Sequence, residues 1–221
     1  MTIKPSKIFD VYQDWNKLYT QNLTPKQSFF QEKLVQHKNK ELREWDPKRS
    51  KLAAAIIKGC NNIFIRKGDV ILYLGASHGY TPSFVSDIIG ENGYIFALDL
   101  APRTTRDLVF LCEKRKNIIP IMADANQLDL FTDKVTQVDI VYQDIAQRNQ
   151  AEIFLKNIQR FLKHDGYGLL AVKAKSIDIK KKSKVIFNEV RQFLEQHLIV
   201  VDFRTLEPFE KDHAFIIVKK K

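Results

Sequence analysis

Four ionisable side chains close four successive apolar runs of this chain, at Asp99, Asp124, Asp144 and Lys173. If those runs are β-strands of an open α/β sheet, the four charges stand where such sheets bind ligands, just outside the strand carboxyl ends. Asp99 comes twenty residues after Gly79 and can accept hydrogen bonds from a ribose diol. Asp124 is followed by small Ala125, which suits an adenine edge. Any one of these carboxylates could equally be a solvated loop charge. Lys173 directly follows Leu169-Leu170-Ala171-Val172 and so leaves a buried strand beside Asp144 of its neighbour. It reads either as half of a structural ion pair or as a general base kept neutral by desolvation and a nearby cation, for which Lys51 is the candidate. His213, after Glu210-Lys211-Asp212, is either a polar hairpin residue or a further member of that site. Spacing alone does not bring Lys51, Asp144, Lys173 and His213 together.

The stretch Val70-Ile71-Leu72-Tyr73-Leu74-Gly75-Ala76-Ser77-His78-Gly79-Tyr80-Thr81 must organise these positions. It reads as strand, tight loop and helix, with Thr81 as N-cap and Pro82 at the first helical position. The glycines are spaced G-x-x-x-G, and Ser77 occupies the place of the second glycine of a dinucleotide fingerprint. A nicotinamide or flavin dinucleotide is therefore disfavoured. A nucleoside cofactor without phosphates needs no such cradle.

Around this centre, residues 7–45 alternate apolar and polar positions between turn residues, with extended runs at Ile8 to Tyr12, Asp14 to Asn16, Leu18 to Thr20 and Leu23 to Pro25. Two small antiparallel hairpins are expected there. Arg49 to Gly59 reads as a helix capped by Ser50. Strands follow at Tyr94 to Leu100, Ile118 to Met122, Val138 to Tyr142 and Gly168 to Val172, alternating with helices at Thr104 to Arg115, Gln150 to Lys163 and Val185 to His197, and Asp165-Gly166 reads as a turn. Alternation implies a parallel sheet. The last strands, Leu198 to Phe203 and Ala214 to Val218, have no helix between them and must be antiparallel. The expected architecture is α/β, a Rossmann-like seven-stranded sheet over residues 47–221 with one antiparallel edge strand, preceded by a small antiparallel β domain over residues 1–46. By analogy of fold, that arrangement goes with cofactor-dependent methyl transfer.

Composition narrows the function class. The 221 residues carry a formal charge of +10 with 44% hydrophobic residues, so a folded basic protein is expected and nucleic acid is the first partner to consider. Lys180-Lys181-Lys182 with Lys184 suits phosphate contacts or a solvated loop. Cys60 and Cys112 form no cluster that suggests zinc or a disulfide framework, so no metal is expected. With no signal-peptide core and no membrane-length apolar run, a cytoplasmic location is expected.

The residues also match a known pattern. Trp45-Asp46-Pro47-Lys48-Arg49-Ser50-Lys51-Leu52-Ala53-Ala54-Ala55-Ile56, Asp144-Ile145-Ala146-Gln147, Ala171-Val172-Lys173 and Leu206-Glu207-Pro208-Phe209-Glu210-Lys211-Asp212-His213-Ala214 resemble the archaeal form of the fibrillarin family, and the resemblance runs from Trp45 to the end. It implies S-adenosyl-L-methionine as methyl donor and an RNA ribose 2′-hydroxyl as acceptor. By position, the family's catalytic set falls on Lys51, Asp144, Lys173 and His213. Its cofactor contacts fall on Gly75, Gly79, Tyr80, Thr81, Asp99, Leu100, Asp124, Ala125 and Asp144 through Gln147. Here Ser77-His78-Gly79-Tyr80-Thr81 departs from the usual Gly-Ala-Ala-Ser-Gly-Thr-Thr loop at three positions, and Asp99-Leu100 stands where Glu-Phe is common.

The same resemblance implies a C/D-box guide RNA that selects rRNA or tRNA targets, a Nop-domain scaffold protein and a kink-turn-binding protein as partners. Two other readings compete. One is a structural subunit of the same particle with weak or no activity, and the other is methylation of a protein side chain.

Overall fold

The computed structural model describes residues 2–221 and contains two sheets. The first is antiparallel, built from β1 (Lys4–Pro5), β2 (Val11–Asp14), β3 (Lys17–Gln21), β4 (Leu34–His37) and β5 (Lys40–Trp45), in the order β1-β2-β3-β5-β4. The β2–β3 hairpin lies where the alternation placed it, turning at Trp15 with φ +54°. The second hairpin does not begin at Leu23. Asn22 Oδ1 accepts the Thr24 N–H at 3.1 Å, a local side-chain turn that competes with strand pairing, and the chain resumes pairing only at β4 and β5.

The second sheet has seven strands in the order β11-β12-β10-β9-β6-β7-β8. In chain order its elements, with the helices between them, are α1 (Lys51–Ile57), β6 (Val70–Leu74), α2 (Tyr80–Ile89), β7 (Tyr94–Asp99), α3 (Pro102–Lys114), β8 (Ile118–Met122), β9 (Val138–Gln143), α4 (Gln150–Phe161), β10 (Leu162–Lys173), α5 (Ala174–Ile177), α6 (Ser183–Glu195), β11 (Ile199–Thr205) and β12 (His213–Lys219). Strands β10, β9, β6, β7 and β8 are mutually parallel, while β12 runs antiparallel to both β10 and outermost β11. Residues alternate between two cores along each strand: Ile71 and Tyr73 face α1, α2 and α3, whereas Leu72 and Leu74 face α4 and α6.

Two local expectations are corrected. Helix α2 starts at Tyr80, two residues earlier than expected, because Gly79 with φ +93° reverses the chain; Thr81 is therefore inside the helix, and its hydroxyl donates to Ser50 Oγ at 3.0 Å instead of capping. Asp165-Gly166 lies within β10 as an irregularity where the register against β9 shifts, Asp165 taking φ +62°.

The first sheet is welded to α2 by buried charge. Arg43 on β5 and Arg115 both pair with Asp87 of α2, Arg43 at 2.8 Å, and Arg43 also meets Glu32 at 2.7 Å. Thr20 donates to Asp87 as well, at 2.6 Å, so the carboxylate's acceptor sites are filled by groups from both sheets' surroundings. No helix among the described residues is long and apolar enough to cross a membrane.

Candidate active site

Five parallel strands and the start of antiparallel β12 deliver their ends to one edge of the large sheet. There Lys51 Nζ donates to Asp144 Oδ2 at 2.9 Å, with both side chains about four-fifths buried. Ser50 fixes the base of this pair by accepting the Ala53 N–H and the Thr81 hydroxyl, so the N-termini of α1 and α2 are tied together. Burial pulls the Lys51 ammonium towards neutrality, but the charge and hydrogen bond of Asp144 outweigh it and hold its pKa above the ordinary lysine value. The ion pair that the sequence allowed for Lys173 and Asp144 is thus formed by Lys51 and Asp144.

Lys173 ends β10 opposite His213 in the β10–β12 register with its side chain exposed, and Lys51 is paired with Asp144, so neither the burial nor the unpaired neighbouring cation expected around Lys173 is supplied by this chain alone. His213 Nδ1 lies 2.6 Å from the Lys211 carbonyl, a contact in which Nδ1–H donates, so Nε2 is the ring nitrogen left to face a ligand. All four expected catalytic residues therefore stand along this edge.

Beside them is a cavity of about 470 Å³ lined by Gly75, Leu98, Asp99, Leu100, Ala101, Pro102, Ala123, Ala125, Asp144, Ile145, Ala146 and Gln147. One wall is small and apolar, and the charged groups of the lining are two carboxylates. With no lysine or arginine, the lining repels phosphates and favours an uncharged nucleoside carrying a cation. Gly75 is required because φ is +83° and an added Cβ would lie 2.2 Å from the Asp144 carbonyl oxygen. Asp99 is partly committed to the protein: Oδ2 accepts the Ser77 N–H at 2.7 Å, and Oδ1 accepts the Ala101 N–H and the Thr104 hydroxyl. Oδ2 keeps one acceptor position for a ribose hydroxyl.

The cavity wall omits Gly79, Tyr80, Thr81 and Asp124. At Gly79 an added Cβ would lie 2.4 Å from Leu111 Cδ2, so this glycine serves helix packing. Tyr80 is buried under the Arg49 guanidinium, 4.1 Å from its ring centre, and against Phe30 and Phe84, while its hydroxyl accepts the Asp46 N–H at 3.2 Å. His78 stacks edge-on against the same Phe30. Two loop residues that depart from the family pattern thus share one partner in the segment before β4. Asp124 holds its own loop by accepting the Asn126 N–H.

Some residues of the site carried no advance signal. Ala101, Pro102 and Ala123 form the apolar wall through backbone position, and Gln143 and Gln150 are fully buried amides at the end of β9 and the start of α4. A pair of glutamines bracketing a strand-end acid was the available clue.

A nucleoside slot without basic residues, at the carboxyl edge of a seven-stranded sheet with an antiparallel edge hairpin, defines a protein of the Rossmann-like methyltransferase fold class. Within that class the assignment is specific: the Fibrillarin family model matches residues 3–221, and the chain belongs to the fibrillarin family. It is 43% identical over 225 residues to the fibrillarin-like rRNA/tRNA 2′-O-methyltransferase of Thermococcus sibiricus, covering all of both chains. Among solved structures it matches Methanococcus jannaschii fibrillarin, a pre-rRNA processing protein, at 42% identity and TM-score 0.93, covering 100% of this chain and 98% of that one. Aeropyrum pernix fibrillarin in complex with natively bound S-adenosyl-L-methionine matches at 37% identity and TM-score 0.90, over 99% and 98%. A fibrillarin/Nop5p complex matches at 35% identity and TM-score 0.90, over 98% and 100%.

Proposed function

We propose that this chain transfers a methyl group from S-adenosyl-L-methionine to the 2′-hydroxyl of ribose in rRNA or tRNA, as the catalytic subunit of a guide-RNA-directed particle in the cytoplasm. The observation that carries the reading is the Lys51–Asp144 pair beside a cavity with two carboxylates and no basic residue. The fit to the cofactor is chemical: Asp99 Oδ2 retains an acceptor for a ribose hydroxyl, the Leu98–Pro102 and Ala123–Ala125 wall suits an adenine, and Asp144 to Gln147 would hold the methionine end. Bound there, S-adenosylmethionine supplies an electrophilic methyl on a sulfonium.

The side chains then divide the work. Lys173, desolvated when RNA covers this edge of the sheet, takes the proton of the ribose hydroxyl as its oxygen bonds to the methyl carbon, while the electron pair of the breaking carbon–sulfur bond stays on sulfur. Asp144, oriented by Lys51, places negative charge near the cationic donor, and His213 Nε2 positions the ribose or a neighbouring phosphate. The exposed Lys180, Lys182 and Lys184 continue from β10 through α5, and Ser183 Oγ donates to Asp212 Oδ1 at 2.5 Å, so this segment is tied to the loop that carries His213. It offers phosphate contacts that orient RNA without reading its sequence. Target choice would come from a C/D-box guide RNA, with a Nop-domain scaffold like that in the fibrillarin/Nop5p complex and a kink-turn-binding protein completing the particle. Residues 1–46 are read as a supporting β domain and 47–221 as the methyltransferase domain.

The test is methyl transfer from labelled S-adenosylmethionine to guide-matched RNA with scaffold, kink-turn protein and guide present. Label on the ribose opposite the guide is expected, and Lys173→Ala should reduce it by roughly 100-fold or more while leaving cofactor affinity within about twofold. Intact assembly without label would favour a structural subunit.

A further inference from the structure

We propose that Gln150 is a positioning residue that holds the backbone of Lys173 and the cofactor-side loop in one frame. The proposal rests on the assignment of Lys173 as the base. Pairing between β9 and β10 ends at Leu170 opposite Gln143, three residues before Lys173. On its other side Lys173 still pairs with His213 of β12. The face of the strand left open by β9 is closed by a side chain: Gln150 Oε1 accepts the Lys173 N–H at 3.0 Å, and Gln150 Nε2 donates to the Lys173 carbonyl at 3.2 Å. The amide thus copies the donor–acceptor pair of a neighbouring strand's peptide.

The same Nε2 donates to the Gln147 carbonyl at 2.9 Å, which ends the Asp144 to Gln147 lining of the cavity. Gln143 Nε2 in turn donates to the Gln150 carbonyl at 2.6 Å, fastening the first residue of α4 to the last residue of β9, next to Asp144. Gln143 and Gln150 are both fully buried, so water cannot replace these bonds at little cost. One side chain therefore spans the two halves of the reaction, the residue facing the acceptor hydroxyl and the loop beside the methyl donor. A flexible Lys173 side chain on a fixed backbone keeps reach; on a loose backbone it loses alignment.

Two variants separate this role from general stability. Gln150→Leu keeps bulk and removes both bonds to Lys173. Gln150→Glu keeps an acceptor when ionised and regains donor plus acceptor when protonated. Hydrogen exchange of the Lys173 amide in the free protein should accelerate at least tenfold in Gln150→Leu, and single-turnover methyl transfer in the guide-loaded particle should fall about tenfold, with cofactor affinity changed less than the rate. In Gln150→Glu the rate relative to wild type should recover as pH is lowered, whereas Gln150→Leu should show no such recovery. Unchanged exchange at Lys173 would overturn the clamp. Faster exchange with an unchanged rate would overturn its positioning role, as would a loss confined to cofactor affinity. Full activity of Lys173→Ala would instead remove the base assignment while leaving the exchange result standing.

Discussion

Lys51 and Asp144 lie 93 residues apart in the chain and meet at 2.9 Å where α1 faces the end of β9. The pair is mostly buried, so neither charge is separable from the other without cost. Asp144→Asn should abolish most methyl transfer and destabilise the fold by about 2 kcal/mol at neutral pH, because the Lys51 ammonium loses its partner. The Lys51 pKa is raised on folding, so this stabilisation is fully present below the ordinary lysine pKa of about 10.4 and is lost as pH rises through the higher folded value. Urea unfolding of wild type and Asp144→Asn should differ by a constant amount at pH 7–9 (roughly the range where lysine and carboxylate are both charged) and converge in stronger alkali. Equal stability of the two proteins at pH 7 would refute the coupling.

Gly75 tests how closely β6 and β9 must approach. With φ +83° and the Asp144 carbonyl oxygen 2.2 Å from an added Cβ, Gly75→Ala meets both a backbone and a packing penalty. A loss of about 2 kcal/mol or more in thermal or urea unfolding is expected, with calorimetric affinity for S-adenosylmethionine falling at least tenfold. Gly68→Ala is the control, since φ there is +85° but nothing lies within 4 Å of the added carbon. If both substitutions cost the same, backbone strain alone accounts for the effect.

The large sheet was legible because hydrophobic periodicity reports its alternation directly: apart from β10, which begins at Leu162 instead of Gly168, strand–helix units from Val70 onward lie within a few residues of their expected places, and the helix-free Leu198 to Val218 stretch is the antiparallel edge pair. The second small hairpin was not, because its tip at Lys38-Asn39 carries no glycine, whereas Leu23-Thr24-Pro25 looked extended while Asn22 folds it into a turn. The charged strand ends gave the site's location. Who pairs with whom was invisible, since the choice of Lys51 over Lys173 by Asp144 depends on how α1 enters over the sheet, and the departures at His78 and Tyr80 gave no hint that both face Phe30.

Glu32 should set the acid limit of the fold. Burial alone would raise its pKa, but Arg43 and the Phe30 N–H bring it down from an ordinary 4.5 to about 2. A depressed carboxylate contributes stability above its unfolded pKa and loses it as pH falls through the folded one, here between about 4.5 and 2, with a total on the order of 3 kcal/mol. Glu32→Gln should lower stability at pH 7 and flatten its decline across that acid window in urea titrations. An unaltered slope would exclude Glu32 as the responsible group.

Tyr80 offers a direct separation of family position from physical contact. Its ring is buried beneath Arg49 and between Phe30 and Phe84, and the cavity wall does not include it. Tyr80→Phe keeps those ring contacts and removes only the hydroxyl that accepts the Asp46 N–H, so stability should drop by about 1 kcal/mol while calorimetric affinity for S-adenosylmethionine stays within about twofold. Tyr80→Thr restores the family's usual residue but deletes the aromatic contacts, leaving the Arg49 and Phe30 side chains without their packing surface. A larger loss of about 2–4 kcal/mol is expected, with the loop between Gly75 and Gly79 loosened through His78 and Phe30. The order of the two effects is diagnostic. If Tyr80→Phe weakens the cofactor tenfold at unchanged stability, the hydroxyl reaches the ligand; if Tyr80→Thr alone does so, the N-terminal sheet supports the cofactor loop through this ring.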